Sequence, residues 1–114
     1  MIALLQRAKT NRIRDLNDAF RRSFSGGKVV MTAGVDALPD MVKAAALQKA
    51  ATFDEFNEDN DPHGEHDFGS FELCGRKFLW KIDYFGRAME HGSEDPSDPD
   101  KTTRVMTVML ASEY

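Results

Sequence analysis

A chain of 114 residues, 41% hydrophobic and 30% charged, has material for one hydrophobic core and too little for two. Its formal net charge is −4, its single cysteine is Cys74, and no uninterrupted apolar run approaches the length of a membrane span. An internal disulfide and a cysteine zinc knuckle are thereby excluded, and the opening MIALLQRAKTNR falls short of a signal peptide's apolar core, so the expected setting is the reducing cytoplasm.

Residues 1–27 read as an N-terminal helix with its stop signal. Ile13, Leu16, Phe20 and Phe24 recur at spacings of three and four, while Arg14, Asp18, Arg21 and Arg22 point elsewhere. Asp18 stands four residues from both Arg14 and Arg22, within pairing reach on a helix, and SGG at 25–27 ends the element. KVVMTAGV, residues 28–35, has the β-branched content of a strand, with Val29, Met31, Ala33 and Val35 on one face. DALPDMVKAAALQKAATF is a second helix starting near Pro39, with Met41, Ala45, Leu47 and Phe53 as its buried positions.

An acidic loop over residues 54–67 leads into two strands, DFGSFELC and RKFLWKIDYFG, joined at Cys74 and Gly75 as a hairpin. In the second of these Phe78, Trp80, Ile82 and Tyr84 alternate with Lys77, Lys81 and Asp83. Residues 86–101, rich in Asp, Pro, Ser and Gly, read as a long, mobile acidic loop. TTRVMTVMLASEY closes the chain as a strand that is apolar on both sides and therefore central. The order αβαβββ predicts a single α+β domain over 1–114, a four-stranded mostly antiparallel sheet with two helices on one face.

Charge is unevenly spread. Residues 1–28 carry seven Lys or Arg against two Asp, whereas residues 54–67 carry seven carboxylates and residues 89–100 five more. Such patterning bears on partners rather than on fold. The arginines at 7, 14 and 21 could follow a phosphate backbone, but the acidic remainder repels a polyanion, so direct nucleic-acid binding is not expected. SGGKVVMT lacks the first glycine of a P-loop and the helix after its lysine, which disfavours nucleotide hydrolysis.

The segment DNDPHGEHD places Asp59, Asp61, His63, Glu65 and Asp67 at alternate positions with Gly64 sixth, as in the start of a calcium loop. The twelfth position is Ser70 instead of a bidentate Glu, and His63 is a poor calcium ligand. A divalent transition metal could instead take Asp61, His63, His66 and Asp67, although Asn, Asp, Pro and Gly are equally the ordinary chemistry of a solvated turn. Asp83, on an apolar strand, could join such a site or simply pair with Lys81. Neither His91 nor Cys74 has a partner for nucleophilic chemistry in the sequence, and Cys74 beside a turn glycine reads as inert.

Whole phrases of the chain, FNEDNDPHGEHDFGSFE, FLWKIDYF and GSEDPSDPDKTTRVMTVMLASEY, with RIRDLNDAFR and GKVVMTAGVDAL before them, resemble a family of small uncharacterised proteins catalogued as a domain of unknown function. That family occurs mainly in alphaproteobacteria, often on plasmids and other mobile elements. The resemblance runs from about Arg12 to Tyr114 and carries no catalytic residue with it. It implies a shared surface at Asn60, Asp61, Pro62, Glu65, His66, Asp67, Phe68 and Gly69, at Trp80, Lys81, Asp83 and Tyr84, and at Glu94, Asp95, Pro96, Thr103 and Arg104.

The leading expectation is a small non-enzymatic accessory protein of mobile elements that binds another protein through acidic surfaces, an inhibitor of a host defence complex of the CRISPR or restriction kind. No cofactor is expected on that reading. The alternative is a divalent-metal-dependent hydrolase or nuclease built on Glu65, His66 and Asp67. A third arrangement gives His66 and Asp67 a purely structural part, tying the loop to the sheet with Arg104 or Lys81 as the opposite charge.

Overall fold

The apolar spacing of the first segment produces one long helix, α1 (Ile2–Ser23), in a computed structural model that describes residues 2–114. Its buried face carries Ile13 and Phe20, and with them Asn17 and Arg21. Phe24, expected on that stripe, lies past the last turn at φ 57° and is 38% exposed, and Gly26 completes the exit at φ 90°.

The strand that follows, β1 (Gly27–Met31), is shorter than its sequence suggests, because Ala33–Asp36 wind into a short helix, α2, that buries Val35 completely. The reason lies at the other end of the chain. Glu113 accepts a hydrogen bond from the Thr32 hydroxyl at 2.6 Å and from the Gly34 N–H at 2.9 Å, satisfying groups that open a helix rather than extend a strand. The Thr32 hydroxyl, with the N–H groups of Leu110 and Gly34, holds the Glu113 carboxyl below its ordinary range.

Helix α3 (Asp40–Thr52) begins directly after Pro39. Its buried residues are Ala46, Ala50 and Ala51, whereas Met41, expected inside, is 86% exposed. Alanines on the inner face let the helix lie close against its neighbours, and the bulkier Val42, Leu47 and Phe53 pack around the margin, half-buried.

Strands β2 (Phe68–Leu73), β3 (Arg76–Phe85) and β4 (Thr103–Leu110) complete a sheet of order β1-β4-β3-β2. The fold is α+β, with β2, β3 and β4 antiparallel and β1 parallel to β4, so the sheet is mixed. The hairpin turn is Cys74–Gly75, both at positive φ (54° and 74°), the backbone of a two-residue turn that matches strand twist. Strand β4 is central, as its two-sided apolar character requires. A short 3-10 turn, Ala111–Glu113, ends the regular structure. No helix among the described residues is long and apolar enough to cross a membrane.

The core lies between the helices and one face of the sheet, with Phe20, Val35, Ala46, Ala50, Phe78, Trp80, Ile82, Met106 and Val108 all buried. Trp80 sits opposite Gly69 on β2, where an added Cβ would collide with the indole Nε1. Gly69→Ala is therefore expected to cost about 1–3 kcal/mol through overpacking. Thermal unfolding checks this: a melting temperature matching the wild type would show that the indole can move aside.

Candidate functional site

Two polar side chains on the buried stripe of α1 organise everything around the acidic loop. Arg21 is 1% exposed. Its Nη1 donates to the carbonyls of Ala50, Ala51 and Phe53 at 2.8, 3.2 and 2.8 Å, closing the carboxyl end of α3, where helix carbonyls lack intrahelical partners. Its Nη2 donates to Asp18 Oδ1 at 3.0 Å, and the guanidinium lies 4.8 Å from the Trp80 ring centroid and 5.4 Å from that of Phe56. Burial pulls the Arg21 pKa down while Asp18 opposes it, and an arginine remains cationic at neutral pH. Arg21 Nε and Trp80 Nε1 are buried without hydrogen-bond partners among the described residues.

Asn17, fully buried one turn earlier, is the second organiser. Its amide donates to the Glu65 carbonyl at 3.0 Å and to the Tyr84 hydroxyl at 2.7 Å, and its oxygen accepts from Arg104 Nε at 2.7 Å. Tyr84 in turn donates to Glu65 Oε1 at 2.7 Å, and burial raises its pKa so that the phenol keeps its proton. Arg104, 3% exposed, stands 5.3 Å from the Tyr84 ring centroid, and its Nη2 donates to the Pro96 carbonyl in the second acidic segment. Burial lowers its pKa, with Tyr84 and Glu65 opposing.

His66 is held from three sides. Its Nδ1 meets Asp18 Oδ1 and Oδ2 at 2.9 and 3.1 Å, so the proton sits on Nδ1 facing the carboxylate. Its ring stacks on Phe56 at 3.7 Å with an interplanar angle of 2°. Its backbone N–H donates to Asp61 Oδ1 at 3.0 Å, while Nε2 lies 3.6 Å from Asp61 Oδ2, beyond hydrogen-bond length. The backbone accepts a φ of 55° at His66, and the chain then enters β2 with the Asp67 carbonyl bonded to the Ile82 N–H at 2.8 Å. Asp67 is raised above the ordinary carboxylate range, first by burial and then by the charges of Glu65 and Asp61.

The first half of the acidic loop organises itself. Asn57 Oδ1 accepts from the N–H groups of Asp59 and Asn60, and Asn60 returns bonds to the Asn57 N–H and the Glu55 carbonyl. Asp54, Glu55, Glu58 and Asp59 are left exposed. In the second segment Asp95 accepts from both the hydroxyl and the N–H of Ser97 and pairs with Lys9 at 3.3 Å, while Arg12 donates to the Ser97 carbonyl at 2.8 Å. Ser97 holds the Asp95 pKa low, with Lys9 adding to the effect. Residues 86–101 are thus tied to α1 and β4 at several points, with Glu90, Glu94 and Asp100 displayed outward.

Of the residues singled out in the sequence, Asp61, Glu65, His66, Asp67 and Arg104 come together, and Trp80 lies against Phe56, the ring on which His66 stacks. Asp95 joins through the loop that Arg104 grips. Asp83 does not join. It lies on the opposite face of the sheet and pairs with Lys81 at 3.0 Å. Glu94 is exposed, as is His63. Among the described residues no group of three or more His, Cys, Asp or Glu is placed to hold a metal ion; Glu65 Oε1 and His66 Nδ1 are engaged by Tyr84 and Asp18. Asp18, expected to pair with Arg14 or Arg22, instead serves Arg21 and His66. Burial of Arg21 also breaks the arginine row that could have followed a phosphate backbone.

Asn17, Asp18, Arg21 and Phe56 were not evident as site residues. Their signal was positional: Asn17 and Arg21 occupy the same helical stripe as Ile13 and Phe20, and a polar residue on an apolar stripe points to a buried partner.

An α+β domain with its polar centre committed to internal pairing is the class these features define. Within that class the chain belongs to the family described as Protein of unknown function (DUF3768), whose model matches residues 31–113. Helix α1, the source of Asn17, Asp18 and Arg21, precedes the matched region. No curated protein and no solved structure matches the chain.

Arg21→Met is expected to destabilise the fold by about 3–5 kcal/mol, because it strips Asp18 of its cation and α3 of its closing donors. Arg21→Lys should not restore stability, since one ammonium cannot span those acceptors; equal melting temperatures for Arg21→Lys and wild type would refute the capping assignment. Asp67 works in the opposite sense. A carboxyl whose folded pKa is raised costs stability increasingly as pH rises from its ordinary pKa to the raised one, fully above that, and nothing where it is protonated in both states. Asp67→Asn should therefore stabilise the protein at neutral pH, with the gain shrinking as pH falls through the raised pKa and gone below the ordinary carboxylate range, as read by denaturant unfolding across pH.

Proposed function

We propose that this protein is a non-enzymatic accessory protein, working in the cytoplasm, that binds another protein through its acidic loops. The partner class we favour is a nucleic-acid-handling complex of host defence, of the CRISPR or restriction kind, whose basic groove the carboxylates would occupy. The observation that carries the reading is the division of the acidic segments. Glu65 and His66 anchor the loop to α1 and β3 and Asp61 holds the His66 backbone, while Asp54, Glu55, Glu58 and Asp59 face solvent from a loop braced by its own Asn side chains. Displayed charge on a braced loop loses little conformational freedom on docking and speeds the encounter with a basic partner. The mobile-element setting implied by the family resemblance supplies the choice of a defence complex.

Replacing Asp54, Glu55, Glu58 and Asp59 together by their amides should leave the melting temperature within a few degrees of wild type, since none is in a described ion pair. Affinity capture from the native host should recover a nucleic-acid-handling protein with the wild type and lose it with the amide variant. Recovery of no such protein, or equal recovery by both, would overturn the reading.

A further inference from the structure

Strand β2 is an edge of the sheet, and among the described residues its outward backbone groups have no neighbouring strand. The Asp67 carbonyl accepts from the Ile82 N–H, which fixes 67 and 82 as a bonded antiparallel pair. Bonded pairs recur every second residue, so Gly69, Phe71 and Leu73 turn their amides toward β3. Phe68, Ser70 and Glu72 therefore point theirs away from the sheet.

A hollow of about 290 Å³ lies beside this edge, bounded by β2 on one side and by residues from Lys49 to Glu55 on the other. Its β2 wall includes Ser70 and Glu72 from one face of the strand and Phe71 from the other, so the hollow borders the rim of the sheet rather than either face. Asp54, Glu55 and Glu72 contribute carboxylates to its lining and Lys49 a single ammonium. Phe53 and Phe71 supply an apolar floor.

We infer that the β2 edge and the hollow beside it accept an extended, lysine- or arginine-bearing segment of a protein partner as a fifth strand. This inference rests on the protein-binding reading above and names the chemistry of the segment bound. Main-chain bonds to Phe68, Ser70 and Glu72 would supply pairing that tolerates many sequences, and the surplus of carboxylates would select basic side chains. The two features coincide on one strand, since Glu72 belongs both to the unpaired row and to the acidic lining.

The probe is a short capped peptide of alternating lysine and valine, titrated up to about 1 mM into isotopically labelled protein. Amide signals of Ser70 and Glu72 should shift and their hydrogen exchange should slow. The same peptide N-methylated at alternate residues keeps its charge but loses its donors, and should bind at least about tenfold more weakly. Ser70→Pro removes an outward amide at an edge position that tolerates proline, and Glu72→Lys reverses one wall charge. Each should weaken binding, with a melting temperature measured alongside to show the fold is kept. No binding by the alternating peptide, or equal binding by its methylated form, would overturn the inference. If affinity capture recovers a partner whose binding neither variant alters, the docking inference fails while the protein-binding reading stands. If capture recovers no nucleic-acid-handling protein, that reading fails whatever the peptide does.

Discussion

One buried guanidinium joins the parts of this domain that the sheet does not. Arg21 reaches from α1 to the last carbonyls of α3, shares Asp18 with His66, and lies over Trp80 at the centre of the core. A hydrophobic residue of similar size could fill the volume, though it would leave Asp18 without its cation, and only replacement of both partners of a buried ion pair is often neutral. What such a residue could not do is fix direction. Three carbonyl acceptors and one carboxylate specify where α3 must end and where the loop after it must turn. The helices are held to the sheet by apolar burial and to one another, at this point, by hydrogen-bond geometry.

The acidic loop inherits its shape from that arrangement. Because Asp18 is already positioned by Arg21, His66 has a fixed acceptor, and because His66 is fixed, its ring covers Phe56 and its N–H satisfies Asp61. Asn17 performs the parallel task for Glu65, Tyr84 and Arg104, and Arg104 extends the linkage to Pro96. Two chain segments far apart in sequence are thereby placed around the same stretch of α1. Networks of this kind are costly when incomplete and specifying when satisfied. The inward carboxylates secure position, which leaves the outward ones facing solvent.

Much of the architecture was legible in the sequence. Alternation from Phe78 to Tyr84, the Cys74–Gly75 turn and the two-sided apolar strand at the end each reflect local rules that tertiary structure had no reason to override. The exceptions have identifiable causes. Residues after Met31 leave the strand because Glu113, distant in sequence, satisfies the start of a helical turn. Met41 is exposed because alanine, not methionine, matches the close approach of α3. The site was half legible: Glu65, His66 and Asp67 stood out by composition, but Asn17, Asp18 and Arg21 looked like the ordinary polar content of a surface helix. Periodicity separates faces of a helix, and it does not say that a long polar side chain on the inner face has a partner waiting.

The parallel pairing of β1 with β4 sets an order of events on the ribosome. Residues 27–31 pair with 104–108, so β1 has no neighbour in its sheet until about 70 further residues have been synthesised. The β2–β3 hairpin, by contrast, needs only a two-residue turn to close. While translation continues, Val29 and Met31, which pack against the finished core, have no sheet to join. Completion of the sheet therefore waits for residues 104–108, and until they emerge the nascent chain carries β1 as an unpaired apolar strand.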